Sequence, residues 1–417
     1  MKTIKLNHIT KIEGHAKLTV KIDKSKVKQV KLDIFEGARF FESIVKDRNY
    51  WEVPIMTARI CGVCSVAHAV GSIMAVEDAF NVEVSKQTKQ LREIMTLAEM
   101  LHSHLLHLYF MALPDYFGFD SAISMVAKHK STVLNAVKLK ALAGKMIQII
   151  GGREIHPITM EVGGFSKLPE EKALRELAKE IKSAKKDILK VVALFSGLDF
   201  PELERNINYF ALKGNNYAVI NGDIFCSGNY CVKKEDYIEN FKEYVKKGST
   251  AKYVLFGDKP FYVGALARIN TNEKFLSADA RKFAFKSNNP YMNNFAQAVE
   301  VVHFFDRCVE LLEGIHIKEE KPVNVKIKSG RGISWTEAPR GLLLHDYSFD
   351  AKGIVTDANI ITPTGFNIKN IEGDIKLLIP TIMHKSRDEI VMDIEKLIRA
   401  YDPCISCSSH FLEVEWI

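Results

Sequence analysis

Two periodicities of apolar residues divide the chain into strand-like and helix-like stretches. From Ala16 to Phe35 apolar and polar residues alternate, and the alternation breaks at "DKSK", which predicts a hairpin of two β-strands. From about Thr57 onward apolar residues recur every three to four positions, as on one face of an α-helix. Because strands and helices must both bury their apolar faces, we expect β segments packed against a helical centre.

Several stretches keep the helical period long enough to be read as helices. Ser85 is the predicted N-cap of one of them, which should stop before Pro114. Between about 206 and 262 the pattern is mixed and polar, and from about 326 to 371 strand signals and turns dominate. The predicted helices lie at 65–80, 85–113, 122–150, 169–194, 291–313 and 386–402.

These patterns predict a mainly α chain of the α+β class, with a central bundle of long helices, an N-terminal β-hairpin and β-rich appendages. We find no internal repeat, linker or low-complexity tract, so we expect a single domain over 1–417. Its expected segments are a β segment at about 1–50, a helical core at about 57–200 and 291–313, mixed or β segments at about 206–290 and 326–371, and C-terminal segments at 402–410 and 411–417.

Composition narrows the class of protein. Of 417 residues, 47% are hydrophobic and 26% charged, which suits a globular protein with a sizeable core. The net charge is +7, and the lysines are interleaved with apolar residues, so they indicate solvated faces rather than a nucleic-acid site. An apolar signal-peptide core is missing after Met1, and no apolar run is long enough to span a bilayer. We therefore expect a cytoplasmic protein without direct membrane insertion.

Cysteine pairs stand near both ends of the chain, in "RICGVCSVAH" (Arg59 to His68) and "DPCISCSSH" (Asp402 to His410). An odd cysteine count of seven without an export signal argues against a disulfide framework. Three kinds of site remain possible for the paired cysteines. Structural zinc usually has roughly 15–20 residues between its pairs, and a thioredoxin-like site needs only one pair. The third is a buried site for nickel, iron or zinc that joins the chain ends.

The remaining cysteines fit no metal-ligand spacing and are interpreted as buried small hydrophobic residues; they are Cys226, Cys231 and Cys308. In "LHSHLLHLYF", His104 and His107 are interpreted as core or interface histidines.

The residues around the paired cysteines resemble those of the large subunit of [NiFe]-hydrogenases. That family carries R-x-C-G-x-C-x-x-x-H near its N-terminus and D-P-C-x-x-C-x-x-H/R at its end, and both stand intact here. Further matching segments follow in the family's order: "KIEGHAKLTV" with Lys11 replacing the usual arginine, "GARFFE", "LPDYF", "GGREIHP", "EAPRG" and "TPTGFN". The resemblance implies the [NiFe]-hydrogenase large-subunit fold and the reversible, heterolytic oxidation of H2 to protons and electrons.

The resemblance also assigns metal ligands. Cys61, Cys64, Cys404 and Cys407 would bind nickel, and Cys64 and Cys407 would also bridge to an iron carrying cyanide and CO. A third site for Mg2+, sometimes iron, would be formed by Glu42, His410 and a backbone carbonyl group that we place at Ile360.

The resemblance assigns roles around the metals as well. Cys404 would be the first proton acceptor and Glu13 the carboxylate that relays the proton. Arg340 would lie over the open metal position, oriented by Asp115 and Asp402. Pro363 and Thr364 would receive the diatomic ligands of the iron, and His68 would donate a hydrogen bond to the Cys64 sulfur. Read alone, Glu13 would be a cap or a partner of Lys11, and Arg340 an ordinary ion-pair residue.

Partners follow from the same resemblance. A small subunit carrying iron–sulfur clusters must remove the electrons, since no further cysteine-rich motif is present. The chain resembles the cytosolic multisubunit branch, whose further partners are NAD(P)- or flavin-linked, deazaflavin-linked or disulfide-reductase proteins. A maturation protease is expected to remove 411–417, so that the active protein ends at His410. The alternatives are a membrane-bound energy-converting hydrogenase and a non-catalytic zinc or scaffold protein related to the quinone-site subunit of complex I.

Overall fold

A computed structural model describes residues 2–23, 26–35, 40–220, 222–228, 230–246 and 249–409. The helices are α1 Phe41–Val45, α2 Val53–Thr57, α3 Ser65–Phe80, α4 Lys86–Leu106, α5 Leu113–Phe117, α6 Ala122–Gly151, α7 Glu171–Ser183, α8 Lys185–Ser196, α9 Tyr237–Asn240, α10 Ala265–Asn272, α11 Ala278–Arg281, α12 Asn293–Gly314, α13 Pro363–Ile382, α14 Arg387–Ala400 and α15 Ile405–Ser408. The strands are β1 Lys2–Leu6, β2 Ala16–Asp23, β3 Lys26–Ile34, β4 Met160–Glu161, β5 Gly164–Phe165, β6 Phe210–Lys213, β7 Asp223–Cys226, β8 Tyr230–Val232, β9 Phe241–Val245, β10 Lys252–Phe256, β11 Gly330–Ala338, β12 Gly341–Phe349 and β13 Val355–Ile361.

Long helices form the centre of the molecule, which confirms the predicted fold class. Helix α4 packs against α6 and α12, and α12 packs in turn against α7 and α8. The Ser85 hydroxyl accepts a hydrogen bond from the Thr88 amide at 3.0 Å, as an N-cap should. None of the described helices is both long and apolar enough to cross a membrane.

The helix that starts at Ser85 does not stop before Pro114, so that prediction was wrong. At His107–Ala112 the chain takes one widened π turn and continues directly into α5. Pro114 follows this π turn in the first turn of α5, a position at which proline is tolerated. The predicted helix at 169–194 is likewise two helices, α7 and α8, which meet at Ala184.

The described residues form three three-stranded antiparallel sheets, β1–β3, β6–β8 and β11–β13, of which the first and the last bear on the site. The predicted hairpin forms β2 and β3, and β1, which the sequence pattern did not reveal, pairs with β2. In the last sheet β12 lies between β11 and β13. Ala338 pairs with Gly341, so Pro339 and Arg340 form the tip of the β11–β12 hairpin.

The predicted β segment at 326–371 is wrong beyond Ile361, because the 20-residue helix α13 begins at Pro363. Gly365, Gly373 and Pro380 interrupt the helical signal in this stretch of sequence. Tertiary packing overrides them, since α13 buries apolar side chains against β3 and β10.

The core brings the two ends of the chain together. One continuous cluster of buried apolar residues runs from Ile4 in β1 to Ile405 in α15. Glu13 and Cys404 form a parallel β-bridge, and the Ile405 amide donates to the Glu13 carbonyl oxygen at 2.9 Å. Both cysteine pairs belong to a second, smaller cluster of buried residues.

The backbones of α3 and β11 approach each other closely at Gly332. A Cβ atom at Gly332 would lie 2.0 Å from the Ala75 carbonyl oxygen and 2.4 Å from the Ala79 nitrogen. We expect Gly332→Ala to lower the free energy of unfolding by about 3 kcal/mol, because the backbones would have to separate. Gly314→Ala is the matched control, since a Cβ atom there meets nothing within 4 Å. Equal thermal unfolding midpoints for the two variants would contradict this account.

Candidate metal centre

Four thiols meet in the interior, two from each end of the chain. Cys61 and Cys64 lie on the loop before α3, while Cys404 immediately precedes α15 and Cys407 lies within it. Their four sulfur atoms all lie within 4.8 Å of one another, and each residue is at most 2% exposed. Cys61 Sγ is 3.4 Å from Cys404 Sγ. The structure thus brings together all four predicted nickel ligands.

The pKa shifts of these thiols and their closeness indicate a cation-binding site. Burial raises the pKa of Cys404 and of Cys407 well above the ordinary thiol value, whereas hydrogen bonds from Cys404 and Cys407 lower the pKa of Cys61. Four thiolates this close would repel one another in a low-dielectric interior. A soft or borderline metal ion would replace the thiol protons, so the donor set fits nickel, iron or zinc.

Arg340 lies against this cluster from the tip of the β11–β12 hairpin. Its Nη1 donates to Cys64 Sγ at 3.3 Å, and its Nη2 and Nε donate to Asp402 Oδ1 at 3.0 and 3.2 Å. Burial alone would lower the pKa of Arg340, but Asp402 and the thiols hold it well above its usual value. The guanidinium group is therefore a permanent positive charge beside the sulfur atoms.

Glu13 provides a carboxylate beside Cys404. Cys404 Sγ donates to Glu13 Oε2 at 3.2 Å, and the Ser406 amide donates to the same oxygen at 2.9 Å. Glu13 is half-buried, while Cys404 is 1% exposed. The carboxylate therefore connects the buried sulfur with the surface of the chain.

Thr364 supports the second cysteine pair from the first turn of α13. Its Oγ1 accepts a hydrogen bond from the Cys404 amide at 2.9 Å. The hydroxyl proton stays available for another acceptor, as the expected role of Thr364 requires. Pro363 precedes it and begins α13.

His68 and Asp115 have described partners other than those the resemblance implied. His68 Nδ1 lies 3.2 Å from His345 Nε2, so the expected bond from His68 to the Cys64 sulfur stays a prediction. The Asp115 carboxylate pairs with the Lys11 ammonium group and, at 2.5 Å, with Arg399 Nη1. Asp402 is the carboxylate that contacts Arg340.

Glu42 and Ile360 meet at the outer edge of β13, as expected of ligands in a common site. The Ile360 amide donates to Glu42 Oε1 at 2.8 Å, and Lys252 Nζ donates to the same oxygen at 2.7 Å. Because the N–H and C=O groups of one strand residue point to the same edge, the Ile360 carbonyl group also faces this side. His410 and the tail 411–417 lie outside the described residues.

Glu99 is a buried residue that the sequence reasoning missed. Its carboxylate accepts the Val66 and Ala67 amides at 2.5 and 2.8 Å and so caps α3 immediately after Cys64. Burial raises the pKa of Glu99 to about 8. A glutamate within the apolar stretch "TLAEML" was the available signal.

Comparison with known proteins places this site in a family. A family model described as nickel-dependent hydrogenase matches residues 39–136 and 271–410, and a HoxL-like model matches residues 3–36. The sulfhydrogenase 1 alpha subunit of Pyrococcus furiosus is 36% identical, and the alignment covers 99% of this chain and 98% of that protein. The chain belongs to the nickel-dependent hydrogenase family.

Other relatives agree with this hydrogenase assignment. One subunit of the vhu F420-non-reducing hydrogenase of Methanocaldococcus jannaschii is 31% identical over 90% of this chain and 98% of its own length. A solved NAD+-reducing [NiFe]-hydrogenase has the same fold, with a TM-score of 0.88, 21% identity and coverage of 98% of this chain and 100% of that one. The predicted hydrogenase catalytic subunit is thus confirmed. Both of these sequence relatives are named as subunits of hydrogenases that carry more than one chain type.

The thiol cluster predicts which cysteines the metal needs. Cys404→Ala should abolish nickel incorporation, because Cys404 Sγ lies at the centre of the cluster, 3.4 Å from Cys61 Sγ and 2.8 Å from Cys407 Sγ. Cys308→Ala is the matched control, as Cys308 is equally buried but stands outside the cluster. Elemental analysis of both purified variants decides the matter. Full nickel content in Cys404→Ala, or stoichiometric zinc in place of nickel in the wild type, would contradict the assignment.

Proposed function

We propose that this chain oxidises H2 reversibly and heterolytically, releasing protons through Glu13 and electrons to an iron–sulfur partner subunit. The observation that carries the proposal is the arrangement around the thiol cluster. A carboxylate contacts Cys404 Sγ, and a buried guanidinium group contacts Cys64 Sγ. Heterolytic cleavage needs such a base beside an electrophilic centre.

The four sulfur atoms would hold nickel, and Cys64 and Cys407 would share an iron carrying cyanide and CO. The bound metals would supply the electrophilic centre that polarises H2 and accepts its two electrons. Pro363 and Thr364, at the start of α13, would line the pocket for the diatomic ligands. The Thr364 hydroxyl proton is free to be donated there, because its oxygen accepts from the Cys404 amide.

Protons leave the centre through Cys404 and Glu13. A thiolate at Cys404 is the first base, and its proton passes to Glu13 Oε2 over a sulfur–oxygen distance of 3.2 Å. The Ser406 amide holds the carboxylate in place for this transfer. Arg340 keeps a positive charge at the rim of the site and excludes water from the sulfur that it contacts.

A third metal site, for Mg2+, would use Glu42, the Ile360 carbonyl oxygen and His410. Oxygen donors suit Mg2+, and Glu42 lines a cavity of about 790 Å3 on the side that the Ile360 carbonyl group faces. Lys252 now neutralises Glu42. It also lies 3.3 Å from Glu243, which would retain the ammonium group once a dication bound Glu42.

The electrons need an acceptor subunit, and an apolar surface beside the first cysteine pair is suited to bind such a subunit. Trp51, Ile55 and Ile158 are 55%, 52% and 62% exposed, and all three line one cavity with Arg59. Large exposed apolar side chains gathered in one place mark interaction sites. We assign this surface to the iron–sulfur small subunit. NAD(P)-, deazaflavin- or disulfide-reductase-linked subunits would complete a cytoplasmic complex.

Infrared spectroscopy of the purified complex tests the proposed function. Iron-bound CO and cyanide absorb where proteins do not, so the wild type should show these bands together with H2-dependent dye reduction. Activity without such bands, or bands without activity, would contradict the proposed centre.

Glu13→Gln separates proton transfer from metal binding. The amide cannot relay a proton at neutral pH, so we expect at least a roughly hundredfold loss of H2/D2O exchange and of turnover. Nickel content and infrared bands should be retained, because no ligand changes. Glu389→Gln is the matched control, an exposed helix-capping residue. Unchanged exchange in Glu13→Gln would assign the proton path to other residues.

The partner surface predicts a separate defect. Ile55→Glu should leave the metal content and the fold unchanged, since Ile55 is half exposed. It should release the iron–sulfur subunit, because a hydrated carboxylate would replace an apolar side chain and would have to lose its water on binding. Size-exclusion chromatography of co-expressed subunits measures this. Ile123→Glu, on the far more exposed start of α6, is the control; equal retention of the partner in both variants would rule out this surface.

A further inference from the structure

Two buried histidines of α4 and its π turn, left without a function by the sequence, make paired contacts with α12. His104 Nε2 lies 2.8 Å from Glu300 Oε2, and His107 Nδ1 lies 2.6 Å from Gln297 Oε1. His104 and His107 are three residues apart, as are Gln297 and Glu300, so the two contacts occupy neighbouring helical turns. All four residues are at most 1% exposed. Each contact continues toward Arg340 by a different route.

The first route runs through Arg268 of α10. Its Nε and Nη2 donate to the two Glu300 oxygens at 2.6 and 2.8 Å, and its Nη1 donates to Glu337 at 3.0 Å. The other two N–H groups donate to the carbonyl oxygens of Ala338 at 3.2 Å and Pro339 at 3.1 Å. All five donors of the guanidinium group are thus used. Two of them hold the backbone of the hairpin tip that carries Arg340.

The Arg268–Glu300 pair of this route keeps its charges at neutral pH, whereas burial raises the pKa of the neighbouring Glu337 to about 7. Burial would raise the pKa of Glu300, but Arg268 holds it at about 2, so the carboxylate is ionised. Burial lowers the pKa of His104, so its imidazole is neutral and donates from Nε2 to Glu300. Arg268 and Glu300 form a fully buried ion pair whose polar atoms have partners.

The second route runs through Gln297 to Asp402. Gln297 Nε2 donates to Asp402 Oδ2 at 3.0 Å, while Oδ1 of the same carboxylate accepts from Arg340. This fixes the amide orientation, so Gln297 Oε1 must accept from His107 Nδ1. His107 Nε2 lies 2.7 Å from the Arg399 carbonyl oxygen, which also accepts. Both ring nitrogens of His107 thus face an oxygen atom, which fixes the plane of the ring, and Nδ1 lies 4.0 Å from Asp402 Oδ2.

We propose that these two routes form one support that sets the position of the Arg340 guanidinium group over the thiol cluster. Arg268 and Glu300 fix the backbone of the hairpin tip, whereas His107 and Gln297 fix the carboxylate that clamps the side chain. His104, His107, Arg268, Gln297 and Glu300 are thus positioning residues. The inference rests on the proposed role of Arg340, and its consequences can be measured with and without metals.

The first test needs no metal and no activity. In protein labelled with 15N-arginine, the NMR signal of the Arg340 Nε–H group is assigned as the one that disappears in the Arg340→Lys variant. Because this group donates to the Asp402 carbonyl oxygen at 2.9 Å, its exchange with solvent should be slow. We expect exchange to become at least about tenfold faster in Gln297→Met and in Arg268→Lys.

Arg92→Lys is the matched control for these variants. Arg92 is also buried on α4 and holds Glu77 through two hydrogen bonds of 2.7 Å, but its described contacts do not lead to Arg340. Its thermal unfolding midpoint should fall as in Arg268→Lys, with Arg340 exchange unchanged. Gln297→Met carries the test if Arg268→Lys does not fold, since methionine nearly matches glutamine in shape. Unchanged Arg340 exchange in folded Gln297→Met would overturn the proposal.

The second test uses the metal-loaded complex. Arg340→Lys should lower the rate of H2 oxidation at least about tenfold, because lysine keeps the charge but not the planar fork. If Gln297 acts through Arg340, adding Gln297→Met to Arg340→Lys should cost no further activity, whereas Arg92→Lys should act additively. Additive loss with Gln297→Met would overturn the proposal. A wild type without nickel or H2 activity would instead refute the proposed function. The hydrogen-exchange measurement would still show whether Gln297 and Arg268 position Arg340.

Discussion

The meeting of four sulfur atoms from opposite ends of the chain is the constraint on which the rest of the structure depends. Cys61 and Cys404 are 343 positions apart, and their sulfur atoms are 3.4 Å apart. Such a contact cannot be specified locally, so the whole fold must deliver it. The bridge between Glu13 and Cys404 and the core that runs from Ile4 to Ile405 are the means by which it does so.

Buried ionisable groups surround the sulfur atoms, and each is held by a residue on another element. Arg340 is held by Asp402, Asp402 by Gln297, and Glu99 by the first amides of α3. Buried ion pairs contribute little net stability in general. Their contribution here is geometric, because each places a charge or a ligand that a loop alone would leave mobile.

The thiol set was accessible from sequence because each pair and its neighbours form a compact local signature, and Glu13 and Arg340 stand in similar short segments. Helix α13 could not be predicted from the sequence, because Gly365, Gly373 and Pro380 weaken its helical pattern and the packing that outweighs them is tertiary. The same holds for Arg268 and Gln297, whose partners at Pro339 and Asp402 are distant in sequence. The contacts of Asp115 with Lys11 and Arg399 depend likewise on how α14 meets the N-terminal loop.

Because the two cysteine pairs lie near opposite ends of the chain, the first pair is synthesised well before the second. A ribosome adds about 5–20 residues per second, so Cys61 leaves the tunnel roughly 20–70 s before Cys404. During that interval the first two thiols have neither their sulfur partners nor the cover of Arg340, which is itself made late. During this time the two thiols are exposed to oxidants and to free zinc ions. Cells that make this chain therefore need reducing conditions, or a protein that shields "CGVC" until the last residues arrive.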